Sequence, residues 1–239
     1  DPLMAVVKDE AGVMKASALM TPPYALIVQS EPLVRGALEA LADTLVGMGW
    51  DLPGVNGVDE VSDCFSEIWQ KKTGQLARQV VRTRAYELRQ VVDVDYPAGK
   101  MRLAREDEAQ QAADMLNAMT EEVVVGHKKP HTAQSMLETI QRQHVIFWEL
   151  EAEVVSITNP SRPQIKRIYD SGVYTLPAGR RKGYARALVA EVSKELLSRG
   201  YEQTNLFTDL SNPTSNKIYQ EIGYKPVADY LQYEFVQHG

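Results

Sequence analysis

Residues 173–185 read Val-Tyr-Thr-Leu-Pro-Ala-Gly-Arg-Arg-Lys-Gly-Tyr-Ala, an extended β-branched segment followed by three adjacent cations and small residues. After Gly183 the apolar residues recur at helical spacing, and Gly200 then ends the pattern. These apolar positions are Ala185, Leu188, Val189, Val192 and Leu196. The stretch therefore predicts a strand, a short basic loop and a long helix over 183–199.

The start of this helix predicts an anion site. The first backbone N–H groups of a helix have no partner inside it, and the helix dipole adds partial positive charge there. Gly183 lacks a Cβ, so a bulky diphosphate can approach the backbone closely. Arg180, Gly183 and Ala185 together form an R-x-x-G-x-A string. An ordinary exposed basic loop in front of a helix is the alternative for the same residues.

A second motif follows closer to the C-terminus. Residues 212–224 read Asn-Pro-Thr-Ser-Asn-Lys-Ile-Tyr-Gln-Glu-Ile-Gly-Tyr, which predicts a helix over 213–222 that stops at Gly223. Asn212 suits the position before this helix, because its side chain can accept a backbone N–H and Pro213 suits the first turn.

The two motifs resemble those of the GNAT superfamily of N-acetyltransferases, whose acetyl-CoA loop has the pattern Arg/Gln-x-x-Gly-x-Gly/Ala and whose later helix has N-x-x-S-x-x-I-Y-x-x-x-G-Y. The resemblance covers 101–236, and 1–92 in outline. It implies an α/β (α+β) fold of the acyl-CoA N-acyltransferase type, with a mixed, mostly antiparallel central sheet flanked by helices. Arg181 departs from the pattern, because family members often have Gly at this place.

The resemblance also implies which residues bind acetyl-CoA as a co-substrate. The backbone of Val173, Tyr174 and Thr175 would bond the pantetheine amides. The backbone N–H groups of the six residues that follow Arg180 would hold the pyrophosphate. These residues are Arg181, Lys182, Gly183, Tyr184, Ala185 and Arg186. Asn212 would face the pantetheine, and Ser215 and Asn216 lie one turn further along. Helix capping for Asn212 and a solvated helix face for the other two are the alternatives.

Tyr219 is the predicted catalytic acid, because a tyrosine at this place in the family protonates the departing thiolate. The structural alternative is a packed ring with its hydroxyl bonded to the backbone. A carboxylate would take the proton of the amine. Glu149 is the first candidate for this base, and Glu151 and Asp170 are the others, although any acidic residue on the outer face of a strand has the same pattern.

The order of elements predicts two related copies of one fold. We expect a degenerate, N-terminally incomplete domain at 1–92, a linker at 93–100 and an acetyltransferase domain at 101–239. In the first half the place of the cofactor loop has no R-x-x-G-x-A string, and Glu31 there would repel a pyrophosphate. The predicted strands are 3–8, 13–21, 24–29, 79–92, 101–103, 145–150, 153–157, 165–175, 202–208 and 224–236. The remaining predicted helices begin near Pro32 and cover 59–72, 106–122 and 131–143, while 52–57 is predicted as a loop.

Composition excludes several classes of protein. A net charge of -6 argues against general affinity for nucleic acid or an anionic membrane. The single cysteine, Cys64, excludes an internal disulfide and a cysteine-based zinc site. His127, His131 and His144 lack the spacing of metal ligands, so no metal is expected. No run of 18 apolar residues is present, which predicts no membrane span and, with the reduced cysteine, a cytoplasmic protein.

The sequence therefore predicts an N-acetyltransferase that moves the acetyl group of acetyl-CoA to a small-molecule or peptide amine by direct attack. The alternative from another class is a non-catalytic acyl-CoA-binding sensor or scaffold module. A structural protein with a merely basic loop is a third hypothesis, and it predicts no affinity for CoA. A homodimer is left open.

Overall fold

The computed structural model describes residues 2–122, 129–161, 164–169 and 171–237. The chain divides into two compact units, one made of the residues up to Arg84 with those from Ala228 onward, the other of Ala85–Val227. Residues 93–100, the predicted linker, lie within the second unit. Among the described residues, no helix is both long and apolar enough to cross a membrane.

The first unit is a sheet with two helices packed against it. Its strands are β1 (Leu3–Lys8), β2 (Met14–Met20), β3 (Leu26–Gln29), β4 (Gly54–Val58), the beginning of β5 (Leu76–Leu88) and most of β12 (Lys225–Val236). Their order is β1-β2-β3-β4-β12-β5, and only the β3–β4 pair among the printed registers is parallel. Helices α1 (Arg35–Gly47) and α2 (Asp59–Thr73) bury apolar stripes in its core.

Strand β4 corrects the sequence prediction, which treated 52–57 as a loop. Its glycines suggested a turn, but they serve close approach between strands. A Cβ on Gly54 would overlap the carbonyl oxygen of Tyr233, and one on Gly57 would lie 2.6 Å from that of Val28. Glycine therefore occupies this strand because neighbouring backbone leaves no room for a side chain.

The second unit contains the long helix predicted from the basic loop. In chain order its elements are β6 (Lys100–Leu103), α3 (Ala109–Glu122), α4 (Ala133–Gln141), β7 (Ile146–Leu150), β8 (Glu153–Thr158), β9 (Arg167–Tyr169), β10 (Tyr174–Thr175), α5 (Tyr184–Ser198), β11 (Gln203–Asp209) and α6 (Pro213–Ile222). Strands β10-β8-β7-β6 form one antiparallel sheet, while β9 pairs in parallel with β11, next to the end of β5. The mixed, mostly antiparallel α/β class is confirmed.

The segment predicted as one strand over 165–175 is divided into β9 and β10. The first part pairs with β11, through Arg167 opposite Gln203, whereas the second part pairs with β8, through Thr175 opposite Ser156. Because the two parts bond to different partners, the chain between them leaves one sheet for the other. The second part, β10, lines the cleft described below.

Candidate active site

A cleft of about 770 Å³ lies in the second unit, where the loop after β10 meets the starts of α5 and α6. Tyr219 and all of the predicted cofactor-binding residues except Asn216 line it. These are Val173, Tyr174, Thr175, Arg180, Arg181, Lys182, Gly183, Tyr184, Ala185, Arg186, Asn212 and Ser215. Residues that sequence reasoning placed on separate elements therefore converge on one concave surface.

One wall of the cleft is the edge of β10. This strand is the last of its four-stranded sheet and bonds to β8 on one side. The pairing with β8 extends one residue beyond β10, because the N–H of Leu176 donates a hydrogen bond of 3.0 Å to the carbonyl of Val155. The other edge of Val173–Thr175 faces away from β8. An extended ligand with amide groups can bond such an edge as an additional strand does.

The start of α5 provides the amides of an anion site. Gly183 precedes the helix with φ +85° and Arg181 has φ +62°, so two residues of the loop adopt left-handed conformations. The first amide that bonds within the helix is that of Ala187, which donates to the carbonyl of Gly183 at 3.0 Å. Within the described residues, no carbonyl or side chain accepts a hydrogen bond from the amides of 181–186.

Cations surround these amides, and Arg186 is the most constrained of them. Its Nη1 lies 3.1 Å from Oε2 of Glu221, and its Nη2 donates to the carbonyl of Asp95 at 3.1 Å. Its Nε is buried and has no hydrogen-bond partner in the part of the chain that the structure describes. A buried donor without an acceptor is costly, and an anionic ligand oxygen would satisfy it.

Arg180 is turned toward the end of α3. Its Nη2 donates to Oε1 of Glu122 at 2.6 Å, and its Nε donates to the carbonyl of Thr175 at 3.2 Å. The guanidinium also lies over the ring of Tyr174, 5.5 Å from the ring centre. The bond with Glu122 is the main reason that the pKa of Arg180 is raised. In this conformation Arg180 is already paired with an acid.

Tyr219 is a buried side chain that reaches the cleft. It is 8% exposed and packs edge-on against Tyr224 with ring centres 5.9 Å apart. The ring of Tyr86 lies on another side at 6.4 Å. The packing predicted as the structural alternative is therefore present, together with access to the cleft, and the catalytic role stays a prediction.

The helix that carries Tyr219 begins as the sequence predicted. Oδ1 of Asn212 accepts a hydrogen bond of 3.0 Å from the N–H of Ser215, so Asn212 caps α6 while lining the cleft. Asn216 does not line the cleft, and its predicted contact with the cofactor stays a prediction. Its Nδ2 donates to the carbonyls of Asp209 and Asn212, at 2.8 and 2.7 Å, and its Oδ1 accepts a bond from the hydroxyl of Tyr86. Its side-chain amide is thus engaged within the protein.

Glu149 lies outside the set of side chains that line the cleft. Its carboxylate bonds Nε of Arg102 and lies 3.4 Å from Nζ of Lys100. The bond from Arg102 is the main cause that lowers its pKa. A carboxylate held in two ion pairs is a weak proton acceptor, so these contacts favour a structural role, while the predicted role as base stays a prediction. Glu151 occupies the turn between β7 and β8 with φ +50°, and Asp170 lies outside the described residues.

Several cleft residues were not predicted from the sequence. Those on α6 repeat at helical spacing after Asn212, so the amphipathic period of that helix was an available signal. They are Thr214, Lys217, Ile218 and Glu221. Met119 and Glu122, at the end of α3, carry no local signal, because only the folded chain brings them to the loop. Among the described residues, no group of three His, Cys, Asp or Glu side chains is arranged to hold a metal ion.

The comparisons with known proteins agree with this geometry. Residues 162–236 match the family model described as FR47-like protein, a segment that contains both motifs. Across 98% of this chain and 81% of its own, a GCN5-related N-acetyltransferase from Sphaerobacter thermophilus has the same fold, with a TM-score of 0.70 and 17% identity. A GCN5-related N-acetyltransferase from Kribbella flavida covers 100% of this chain and 91% of its own, with a TM-score of 0.64 and 14% identity.

A third structure contains a cofactor. The protein yncA from Salmonella typhimurium, solved with acetyl-CoA, is similar over 59% of this chain and 94% of its own, with a TM-score of 0.50 and 16% identity. The comparison with curated protein sequences gives no match. The chain therefore has the fold of the GCN5-related N-acetyltransferases, and its residues 162–236 match the FR47-like family model.

Proposed function

We propose that this protein is an N-acetyltransferase that transfers the acetyl group of acetyl-CoA to a small-molecule or peptide amine by direct attack. The observation that carries the proposal is the row of amides over 181–186, which have no acceptor among the described residues and line a cleft rich in cations. A diphosphate would satisfy these amides and the charge around them.

The residues present fit acetyl-CoA. The amides of 181–186 and the buried Nε of Arg186 are donors suited to a pyrophosphate. Gly183 leaves room at the loop, since a Cβ there would meet no atom closer than 3.9 Å. The open edge of Val173–Thr175 would bond the pantetheine amides. The acetyl-CoA in the similar yncA structure supports the same choice of donor.

When bound, acetyl-CoA supplies an acetyl thioester, a donor whose leaving group is a thiolate. The amine nitrogen forms the new bond to the acetyl carbon as the carbon–sulfur bond breaks. Tyr219, which reaches the cleft from α6, would donate its phenolic proton to the sulfur. The attacking amine loses its proton to a carboxylate, for which Glu149 acting through water is the first candidate, or to solvent.

The first half of the chain is proposed to be a degenerate copy of this fold. In the first unit α1 lies between the parallel strands β3 and β4. In the second unit α5, which follows β10, lies between the parallel strands β9 and β11. The loop before α1 contains Ser30, Glu31, Pro32 and Leu33 where the second unit has its cations. We therefore expect no CoA at α1.

Release of free thiol from acetyl-CoA in a panel of amines tests the proposed function. Polyamines, amino acids and peptide N-termini should be included, with CoA affinity measured separately by calorimetry. We expect turnover with at least one class, and Tyr219→Phe should lower kcat about 100-fold with little change in CoA affinity. Tight CoA binding without turnover in any amine would favour the sensor or scaffold. Absence of CoA binding would contradict both hypotheses.

A further inference from the structure

Tyr86 is a fully buried tyrosine near the end of β5. Its hydroxyl donates to Oδ1 of Asn216 at 3.0 Å and accepts a hydrogen bond from Nε2 of Gln220 at 3.1 Å. Asn216 and Gln220 are one turn apart on α6. A single hydroxyl therefore bridges one turn of that helix from the side.

The bridged turn is the one that carries Tyr219. The rings of Tyr86 and Tyr219 are 6.4 Å apart and inclined by 52°. Through Asn216 the same network continues to the carbonyl of Asn212, the residue that caps α6 and lines the cleft. The backbone of Tyr86 is itself held, because its carbonyl accepts a hydrogen bond of 3.3 Å from Nδ2 of Asn205. Tyr86 is therefore held by its own backbone and side-chain contacts, and its hydroxyl bonds restrict the position of α6.

We infer that Tyr86 is a positioning residue for Tyr219. Its hydroxyl holds α6 in the position from which the phenol of Tyr219 can reach the sulfur of acetyl-CoA. The inference rests on the proposed function. Proton donation requires the donor and acceptor atoms to be within hydrogen-bond distance, and a small displacement of a catalytic group lowers the rate strongly. The residue belongs to the second unit although it precedes the predicted linker at 93–100. A protein truncated to 101–239 would lack it.

The variant Tyr86→Phe removes the hydroxyl and keeps the ring against Tyr219. We expect kcat to fall about tenfold, since both hydrogen bonds of the Tyr86 hydroxyl are lost, while KM for acetyl-CoA changes less than about twofold. Amide hydrogen exchange in α6 should become faster, because its bridged turn is released. Gln220→Met removes one of the two bonds at an exposed position of the helix, and a drop in kcat of about threefold is expected.

Tyr233→Phe is the matched control. The hydroxyl of Tyr233 donates to Oδ1 of Asp63 at 2.6 Å in the first unit, so this variant also removes a bonded tyrosine hydroxyl. We expect wild-type kcat and wild-type exchange in α6 from it. A general loss of stability would affect both variants alike, whereas a positioning role affects only Tyr86→Phe.

Two results would overturn the inference: a Tyr86→Phe protein with kcat within twofold of wild type, or one with unchanged exchange in α6. If the wild-type protein itself releases no thiol, the proposed function fails on that result. Exchange in α6 then decides the inference separately, because faster exchange in Tyr86→Phe than in Tyr233→Phe supports the positioning of the helix, and equal exchange refutes it.

Discussion

Nη2 of Arg180 lies 2.6 Å from Oε1 of Glu122, and both side chains line the cleft. The first cation of the R-x-x-G-x-A string is therefore neutralised by an acid from α3. A diphosphate entering the cleft would compete with this carboxylate for the guanidinium. We consequently regard Glu122 as an internal competitor of the anionic ligand.

Glu122→Gln should raise the affinity for CoA about threefold at low salt, because Arg180 becomes available to the ligand; the gain should shrink as added salt screens the charges. Glu121→Gln is the control, since it makes the same change of charge at the neighbouring residue. Calorimetric titration with CoA measures both. Equal affinities for the two variants would show that the ion pair does not compete with binding.

Arg181 has φ +62°, a conformation that costs an L-residue with a side chain about 1 kcal/mol and glycine much less. Arg181→Gly should therefore be about 1 kcal/mol more stable to unfolding than Arg181→Ala. Both variants lose the same charge, so their difference reports the backbone alone. Urea denaturation of the pair measures it, and equal midpoints would contradict a strained loop.

The variant Glu149→Gln distinguishes two roles of this carboxylate, a structural ion pair and a general base. If the carboxylate mainly pairs with Arg102 and Lys100, the variant should unfold at a lower temperature and retain kcat within about threefold. Loss of a general base would instead lower kcat at least about 100-fold. Glu153→Gln, opposite Leu150 at the beginning of β8, is the control for a change of charge at this end of β7.

Glu108 is a buried acid whose charge stabilises the fold. Burial alone would raise its pKa, but the hydrogen bonds from Arg102 and from the N–H of Arg105 outweigh it, so the pKa lies below its ordinary value. A lowered folded pKa contributes stability above the unfolded pKa, near 4.3, and that contribution is lost as the pH falls through the folded value.

Glu108→Gln should therefore cost about 3 kcal/mol at pH 7, because Arg102 loses a buried partner. The difference from wild type should narrow as the pH falls from the unfolded pKa, near 4.3, through the lowered pKa of the folded state, because wild-type Glu108 then becomes protonated. Denaturation curves at several pH values test this. A difference that stays constant from pH 7 to pH 3 would mean that the charge of Glu108 does not stabilise the fold.

The cleft could be predicted to a large extent because its motifs are local. Arg180, Gly183 and Ala185 lie close together in the loop and first turn of α5, and Asn212 caps the helix that contains Tyr219, so helical spacing and cap chemistry indicated their places. Glu149 was harder, because an acid on a strand looks the same whether it faces a substrate or Arg102. The sequence gives no sign of that pairing, which forms only when β6 and β7 meet.

The missed features depend on contacts between distant segments. Strand β4 contains glycines for which the local pattern indicates a loop, and only the backbone of Tyr233 and Val28 explains them. Glu122 and Arg180 meet over a long sequence separation. Tyr86 was placed in the first half by its position in the chain, but its hydroxyl bonds to α6 of the second unit.

Hydrogen–deuterium exchange over 180–187, with and without CoA, measures most directly whether a diphosphate binds the amides at the start of α5. Without ligand we expect the amides of 181–186 to exchange rapidly, and saturating CoA should slow them far more than those of α1. If CoA binds and these amides remain unprotected from exchange, the claim that its diphosphate binds at the start of α5 is contradicted.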